Sequence, residues 1–431
     1  MVQTLRWAFR PLPFMEDCRR RYGDSFSVRF LGFERPMVLI TDPAAIKALY
    51  MERSHGLPPG RNIILEPIVG PRSLLIQEGA EHLSRRKLML PPFHGERMRS
   101  YEAVVEEVVT AEVDSWPLQR EFPIHARMQA ITLEVILRAV FGVSEGPRLD
   151  RLREMLATVL QETAAPTKQL IGLATRRFGG GPWARFEGKL REVDELLYAE
   201  IREHRARGGL EEREDILSLL MLAEFEDGGS MSDEELRDQL MTLLLAGHET
   251  TATALAWTFD LLLRHRTALA RLREELEAGG DEYLRATISE SLRLRPVIPL
   301  AGRRLATELV ADGLTLPAGT DVTPAIWLTH TRADLYPEPF AFRPERFLES
   351  PPDTYGWLPF GGGIRRCIGA AFAEFEMRIA LREVLGRCEL RKAQPGPEQT
   401  GRRNITLSPK AGTPVIVESR RPARERQPAT V

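Results

Sequence analysis

The chain is poor in cysteine: Cys18, Cys367 and Cys388 are the only three in 431 residues. Three widely spaced thiols cannot build a disulfide framework, and without a Cys-x-x-Cys pair they do not make the four-ligand set of a structural zinc site. Net charge is also lacking. Basic residues number 59 against 61 acidic ones, for a formal charge of -2, and the cations are dispersed along the chain, which argues against nucleic-acid binding. No apolar run near the N-terminus approaches the roughly 20 residues of a membrane span, and no signal-peptide core accompanies Arg6, Arg10, Arg19, Arg20 and Arg21. The segment 240–263 is apolar enough to raise the question, but His248, Glu249 and Asp260 interrupt it and a buried core helix costs less. Repeats and Ser/Gly-rich linkers are missing, so nothing divides the chain. With 43% hydrophobic and 28% charged residues it has the composition of a globular protein with a large core. The expectation is one domain over residues 1–418 and a basic, disordered tail at 419–431.

What is present centres on Phe360–Gly369, which reads Phe-Gly-Gly-Gly-Ile-Arg-Arg-Cys-Ile-Gly. Three glycines let the backbone turn sharply and come close to a flat object, because no Cβ intervenes. After Cys367 come small residues and then apolar ones at helical spacing, which predicts the sulfur at a helix N-terminus. The partial positive charge and free N–H groups there favour the thiolate, the metal-ligating form.

Further upstream, Ser232-Asp233-Glu234-Glu235 reads as a capping box that starts a long helix. In the middle of that helix stands Ala246-Gly247-His248-Glu249-Thr250-Thr251. A glycine there costs about 1 kcal/mol against alanine, and a threonine can bond back to a helix carbonyl and bend it. Such breaks of local rules are expected at functional sites. His82 and Arg86 share one face of a helix predicted over Glu81–Leu90, ended by Pro91-Pro92. Glu290 and Arg293 stand three apart on a helix ending at Pro296, and Arg346 lies in Phe342–Phe347.

Phe26, Val28 and Phe30 alternate with other residues and, with Met37–Ile40, predict a β-hairpin; Asp42-Pro43 then supplies an N-cap and a first-turn proline. Residues 56–79, rich in proline and glycine, read as a long irregular loop. Helical patterns follow at 96–116, 127–141, 149–161 and 183–207, with Gly179-Gly180-Gly181-Pro182 as a lid or a surface turn. Asp312-Gly313 signals a hairpin within Leu309–Leu316.

The Phe360–Gly369 stretch resembles the haem-binding signature of the cytochrome P450 family, with Phe360, Gly363, Arg365, Cys367 and Gly369 on its fixed positions without a gap. The resemblance takes in four motifs in family order and roughly residues 22–418. It implies a mainly α cytochrome P450 fold with small β-sheets, and haem b lying between the long Ser232-initiated helix and the Cys367 helix. By the same resemblance Cys367 is the proximal iron ligand. Phe360, Gly361, Arg365, His82 and Arg86 contact the cofactor, and Arg304 is the better match for a third propionate partner, with Arg303 as the alternative. Glu290, Arg293 and Arg346 form a buried triad that sets the scaffold of the cysteine loop. Thr250 with Glu249 delivers protons during oxygen activation. His248 is a satisfied or solvent-facing residue, since a second axial ligand would block oxygen. Leu243, Ala246, Val297, Ile298, Leu300 and Ala301 line an apolar pocket, and the 56–79 loop covers it; Arg61 is a candidate carboxylate anchor, although loop arginines are more often solvated.

The reaction implied is O2-dependent monooxygenation of a lipid, terpenoid or polyketide-like molecule. Electrons come from NAD(P)H through a separate ferredoxin- or flavodoxin-type donor and its reductase. A docking patch for that donor is expected from Arg85, Lys87, Arg97, Arg99 and Arg366. Lacking the anchor of membrane-bound members, the chain resembles the soluble, cytoplasmic, bacterial type. A peroxide-driven peroxygenase would have no need of Glu249-Thr250, and neither would a haem-based sensor or sequestering protein.

Overall fold

The computed structural model describes residues 2–31, 33–52, 56–57, 62–95, 97–142, 146–164, 181–311 and 313–422. Its axis is the 32-residue helix Asp233–Arg264. Ser232 adopts an extended conformation and its hydroxyl accepts the N–H of Glu235, while the Glu235 carboxylate accepts the N–H of Ser232. Two of the helix's orphan donors are thereby satisfied, and three acidic side chains in the first turn complement the dipole.

From Leu236 to Leu263 the helix is buried over most of its surface. Helix Ile124–Phe141 lies along it in the most extensive helix contact of the described residues, and helices Pro182–Arg207, Glu282–Leu294 and Ala370–Arg387 also pack on it. Gly247 permits the first of these: a Cβ there would stand 3.3 Å from Cδ1 of Ile136. Each helix contributes its apolar face to one continuous core.

The sheets are small. Ser25–Val28 pairs antiparallel with Met37–Ile40, as the alternation predicts; Met37–Ile40 runs parallel to Asp321–Pro324, which pairs with Arg303–Arg304. Asp42 caps the next helix, accepting the N–H of Ala45 at 2.9 Å. The Leu309–Ala311 and Leu314–Leu316 strands pair on either side of the Asp312-Gly313 turn, of which Asp312 lies outside the described residues. Thr400–Arg403 pairs with Thr406–Pro409, and a three-stranded sheet joins Glu121–Pro123, Pro414–Arg420 and Cys388–Lys392.

Several expectations are corrected. The stretch read as an irregular loop contains helix Asn62–Val69, with Pro67 inside it. Leu65 and Val69 of that helix are buried with Ile76 against Leu245, and this tertiary packing outweighs the proline. Gly70 ends it at φ +84, with Asp238 where a side chain would stand, and Asp238 accepts the N–H of Arg72 at 2.9 Å. The 96–116 pattern divides into Arg97–Ser100 and Glu102–Asp114. Gly179 and Gly180 lie outside the described residues, as does Arg61. Ser419 and Arg420, assigned to the tail, instead continue a strand paired with Glu389 and Cys388. No helix of the described residues is long and apolar enough to cross a membrane.

The cap makes a direct test. Ser232→Ala should destabilise the protein by about 1 kcal/mol in urea unfolding, and Ser232→Asp, which keeps a capping oxygen, should recover most of it.

Candidate functional site

The cysteine loop is held by its own backbone. The N–H of Cys367 donates to the carbonyl of Phe360 at 2.9 Å, and that of Gly361 donates to Leu358 at 3.0 Å. Gly361 and Gly363 have φ of +66 and +64, which side chains rarely adopt. Gly362 is required for a different reason: a Cβ there would lie 2.4 Å from the Tyr50 ring. The observed close approach of the glycine stretch is therefore to Tyr50. Phe360 is half-buried and sits edge-on to Trp357, 6.3 Å between centroids.

Cys367 lies deep in the protein, yet its side chain is open. The following helix begins at Ala370, so the sulfur stands ahead of the first turn instead of at it. The electrostatics differ accordingly from the expectation. Burial pushes the thiol above its ordinary range, opposed by the N–H of Gly369 and the cations Arg366 and Arg86. A metal that takes the place of the proton removes this conflict, because ligation needs the deprotonated sulfur.

On the central helix, Leu243, Ala246, Gly247 and Thr250 share one face at the i, i+3, i+4, i+7 spacing. Ala246 is exposed in the middle of a helix otherwise covered by its neighbours. The hydroxyl of Thr250 donates to the carbonyl of Ala246 at 2.6 Å and keeps its lone pairs for a further donor.

Glu249 turns elsewhere. Gln129 donates to its Oε2 at 2.5 Å and Thr253 to its Oε1 at 3.5 Å; Arg403 Nε is 3.2 Å and His125 Nε2 3.7 Å from Oε1. Burial raises its pKa, and Arg403, Gln129 and Thr253 work against the rise. His248 is buried beside Thr132, 3.0 Å from its hydroxyl, and burial with the nearby Arg403 brings its pKa down to about 4. Neutral and bonded within the core, it is a satisfied histidine. Gln129 and Arg403 carried no signal in the sequence, because each meets Glu249 only through tertiary packing.

His82 is buried in helix Gly79–Met89, and Arg86 one turn on is near enough to Cys367 for their charges to interact. Arg365 donates to the carbonyl of Gln77. The two adjacent arginines separate. Arg304 is bound by Asp321 through two hydrogen bonds at 2.7 and 2.9 Å, so the better match from sequence is already neutralised. Arg303, on the opposite face of the strand, is buried over Tyr50, and its Nε has no hydrogen-bond partner among the described residues. Strand alternation sends neighbours to opposite faces, and Asp321 claims the outward one.

Glu290, Arg293 and Arg346 meet. The Glu290 carboxylate accepts from Arg293 at 2.6 and 2.8 Å, from Arg346 at 3.1 Å and from the N–H of Arg343 at 2.9 Å. Of the pocket candidates, Leu243 and Val297 are buried in the main core and Ile298 packs on it. Leu300 is not with them: it packs on the Phe14 and Phe30 cluster, and Ala301 packs on the cluster of Tyr50. Arg85 and Lys87 are also withdrawn from a free basic patch, by Glu235 and Glu226. Arg97, Arg99 and Arg366 remain.

Glu290→Ala would leave two guanidinium groups short of a buried partner. It should lower stability by about 3–5 kcal/mol in urea unfolding, far beyond the loss expected for a surface ion pair.

The comparisons with known proteins agree with this arrangement. The family model described as Cytochrome P450 matches residues 8–414. A cytochrome P450 135B1 of Mycobacterium tuberculosis is 39% identical over 436 residues, covering 100% of this chain and 92% of that protein. A cytochrome P450 137 of the same organism is 39% identical over 408 residues, covering 94% and 84%. These relatives are named by family, without a substrate. Among solved structures, retinoic acid bound cyanobacterial CYP120A1 superposes with a TM-score of 0.82 at 26% identity, over 97% of this chain and 96% of that one. The cytochrome P450DA heme domain, at 24% identity and a TM-score of 0.80, shares the fold. The chain belongs to the cytochrome P450 family, with the haem-dependent monooxygenase activity which that membership implies.

Proposed function

We propose that Cys367 ligates the iron of a haem b, and that the protein inserts one atom of O2 into a small apolar molecule with electrons from NAD(P)H, relayed by a separate ferredoxin- or flavodoxin-type donor. The observation that carries this reading is Cys367 itself, a thiol buried deep in the fold and left open. The surroundings fit an anionic macrocycle: Arg303 has a buried guanidinium Nε without an acceptor among the described residues, and Arg86 stands near the sulfur. Arg303 therefore takes the role first given to Arg304, beside His82, Arg86 and Arg365, while Phe360 and Gly361 shape the loop. Haem held by a thiolate supplies oxygen activation, since that ligand favours O–O cleavage.

The chain's own residues then divide the work. Thr250 places a hydroxyl on the open face of the central helix, where it can accept one hydrogen bond while donating to Ala246. Glu249, its neighbour in sequence, anchored to one side by Gln129 and Arg403, serves as the proton reservoir. Its raised pKa brings it closer to neutrality, where a carboxyl exchanges protons most effectively. Leu243, Ala246, Val297 and Ile298 offer substrate little polar recognition, which favours a lipid, terpenoid or polyketide-like molecule. The cyanobacterial neighbour's bound retinoic acid, largely apolar, belongs to the same chemical range. Arg97, Arg99 and Arg366 are the cations left to meet an acidic donor.

Two measurements test the reading. The reduced, carbon-monoxide-bound protein should show the red-shifted Soret band of thiolate ligation, and Cys367→His should abolish it; a histidine-type spectrum in the unaltered protein would refute the assignment. Thr250→Ala should still bind haem and consume NAD(P)H through the donor, while releasing more hydrogen peroxide and less product. Unchanged coupling would remove Thr250 from proton delivery.

A further inference from the structure

The N-terminal helix Val2–Phe9 takes no part in the site, and its inner face is firmly placed. Trp7 packs on Phe30 with 5.7 Å between ring centroids, Arg402 lies 5.9 Å over the Trp7 ring, and Ala8 is buried. Gln3 and Thr4 accept the backbone N–H groups of Arg29 and Leu31 at 2.7 and 2.8 Å. These contacts fix the rotation of the helix about its axis. At 3.6 residues per turn, Val2, Leu5 and Phe9 then fall within about 60° of one another on the outer face. They are 70%, 44% and 58% exposed.

A contiguous group of large apolar side chains in water, held there by a well-packed opposite face, marks an interaction surface. Its rim is cationic. Arg6 follows Leu5, Arg10 follows Phe9, and the exposed Arg29 is tied to the helix by its N–H bond to Gln3; Arg10 and Arg29 have no carboxylate partner among the described residues. Arg6 and Arg20 share the single carboxylate of Asp17, which leaves an excess of positive charge.

We propose that this face docks the protein on the surface of an anionic lipid bilayer. The Val2, Leu5 and Phe9 side chains enter the boundary between headgroups and acyl chains, and Arg6, Arg10, Arg20 and Arg29 meet the phosphates. The contact is peripheral, because an eight-residue helix is far short of a span. The charge favours lipid over a second copy of the chain, since two such faces brought together would oppose like cations. Docking would hold the enzyme where apolar molecules partition. It stands independently of the haem assignment.

Co-sedimentation of the full chain with vesicles tests this directly, comparing phosphatidylglycerol–phosphatidylcholine mixtures with pure phosphatidylcholine. The mixed vesicles should bind it at low salt, with affinity falling about tenfold or more at 1 M salt or on the zwitterionic vesicles. Leu5→Asp with Phe9→Asp should weaken binding about tenfold or more, and so should Arg10→Glu with Arg29→Glu, exposed positions at which the fold has no stake. Absence of binding to the anionic vesicles at low salt would overturn the proposal. So would unchanged binding by the charge-reversed variant, or vesicle-free self-association that Leu5→Asp with Phe9→Asp abolishes, which would make a second copy the occupant.

Discussion

The buried carboxylate of Glu290 is the constraint on which the cysteine loop depends. A charge removed from water is tolerable only when its lone pairs are filled, and here Arg293, Arg346 and the N–H of Arg343 fill them. Arg293 then extends the network, donating to the carbonyls of His330, Pro339 and Ala341. His330, fully buried, accepts the N–H of Leu358 at Nε2, 2.7 Å away, so its proton is on Nδ1, which donates to the carbonyl of Arg293 at 3.0 Å. Burial and the Arg293 cation bring the imidazole pKa down to about 3, and it stays neutral through the physiological range. Two residues beyond Leu358, the carbonyl of Phe360 holds Cys367. A chain of hydrogen bonds thus runs from the core of one helix to the backbone of the cysteine loop.

Where contacts are local, the sequence was readable. The capping box, the Asp42-Pro43 helix start, the first hairpin and the glycine turn each depend on partners within a few positions, and the structure has them. The Glu290 triad needed a partner more than 50 residues away, and only the order of motifs in the family supplied it. Arg303 and Arg304 could not be told apart in this way. Their surroundings differ because Asp321, from a neighbouring strand, claims one of them, and strand pairing decides which. Leu300 was misplaced for a similar reason. An isolated bridge to Ala325 carries it to the Phe14 cluster, and no apolar periodicity records that long-range pairing.

Glu249 and Thr250 are adjacent in sequence but about 100° apart around the helix. That rotation separates the hydroxyl, which shares a face with Ala246, from the carboxylate, which is bound among Gln129, Arg403 and Thr253. A helix offers this division without additional loops, because consecutive side chains must point in different directions. The acid can then be kept buried and bonded while the hydroxyl remains accessible.

The hairpin Thr400–Arg403 and Thr406–Pro409 touches the central helix at two levels. Arg403 reaches Glu249, while the carbonyl of Leu407 accepts from Trp257 at 2.8 Å and its N–H donates to Val297. The two anchor points on the helix are eight residues, or about 12 Å, apart. A body pinned at two separated points cannot slide along the line that joins them, and the third bond, to Val297 outside the helix, resists a swing about that line. Glu249 and Trp257 therefore keep a fixed relation to the strands that carry Arg403 and Leu407, and any tilt of the hairpin has to break one of these three bonds.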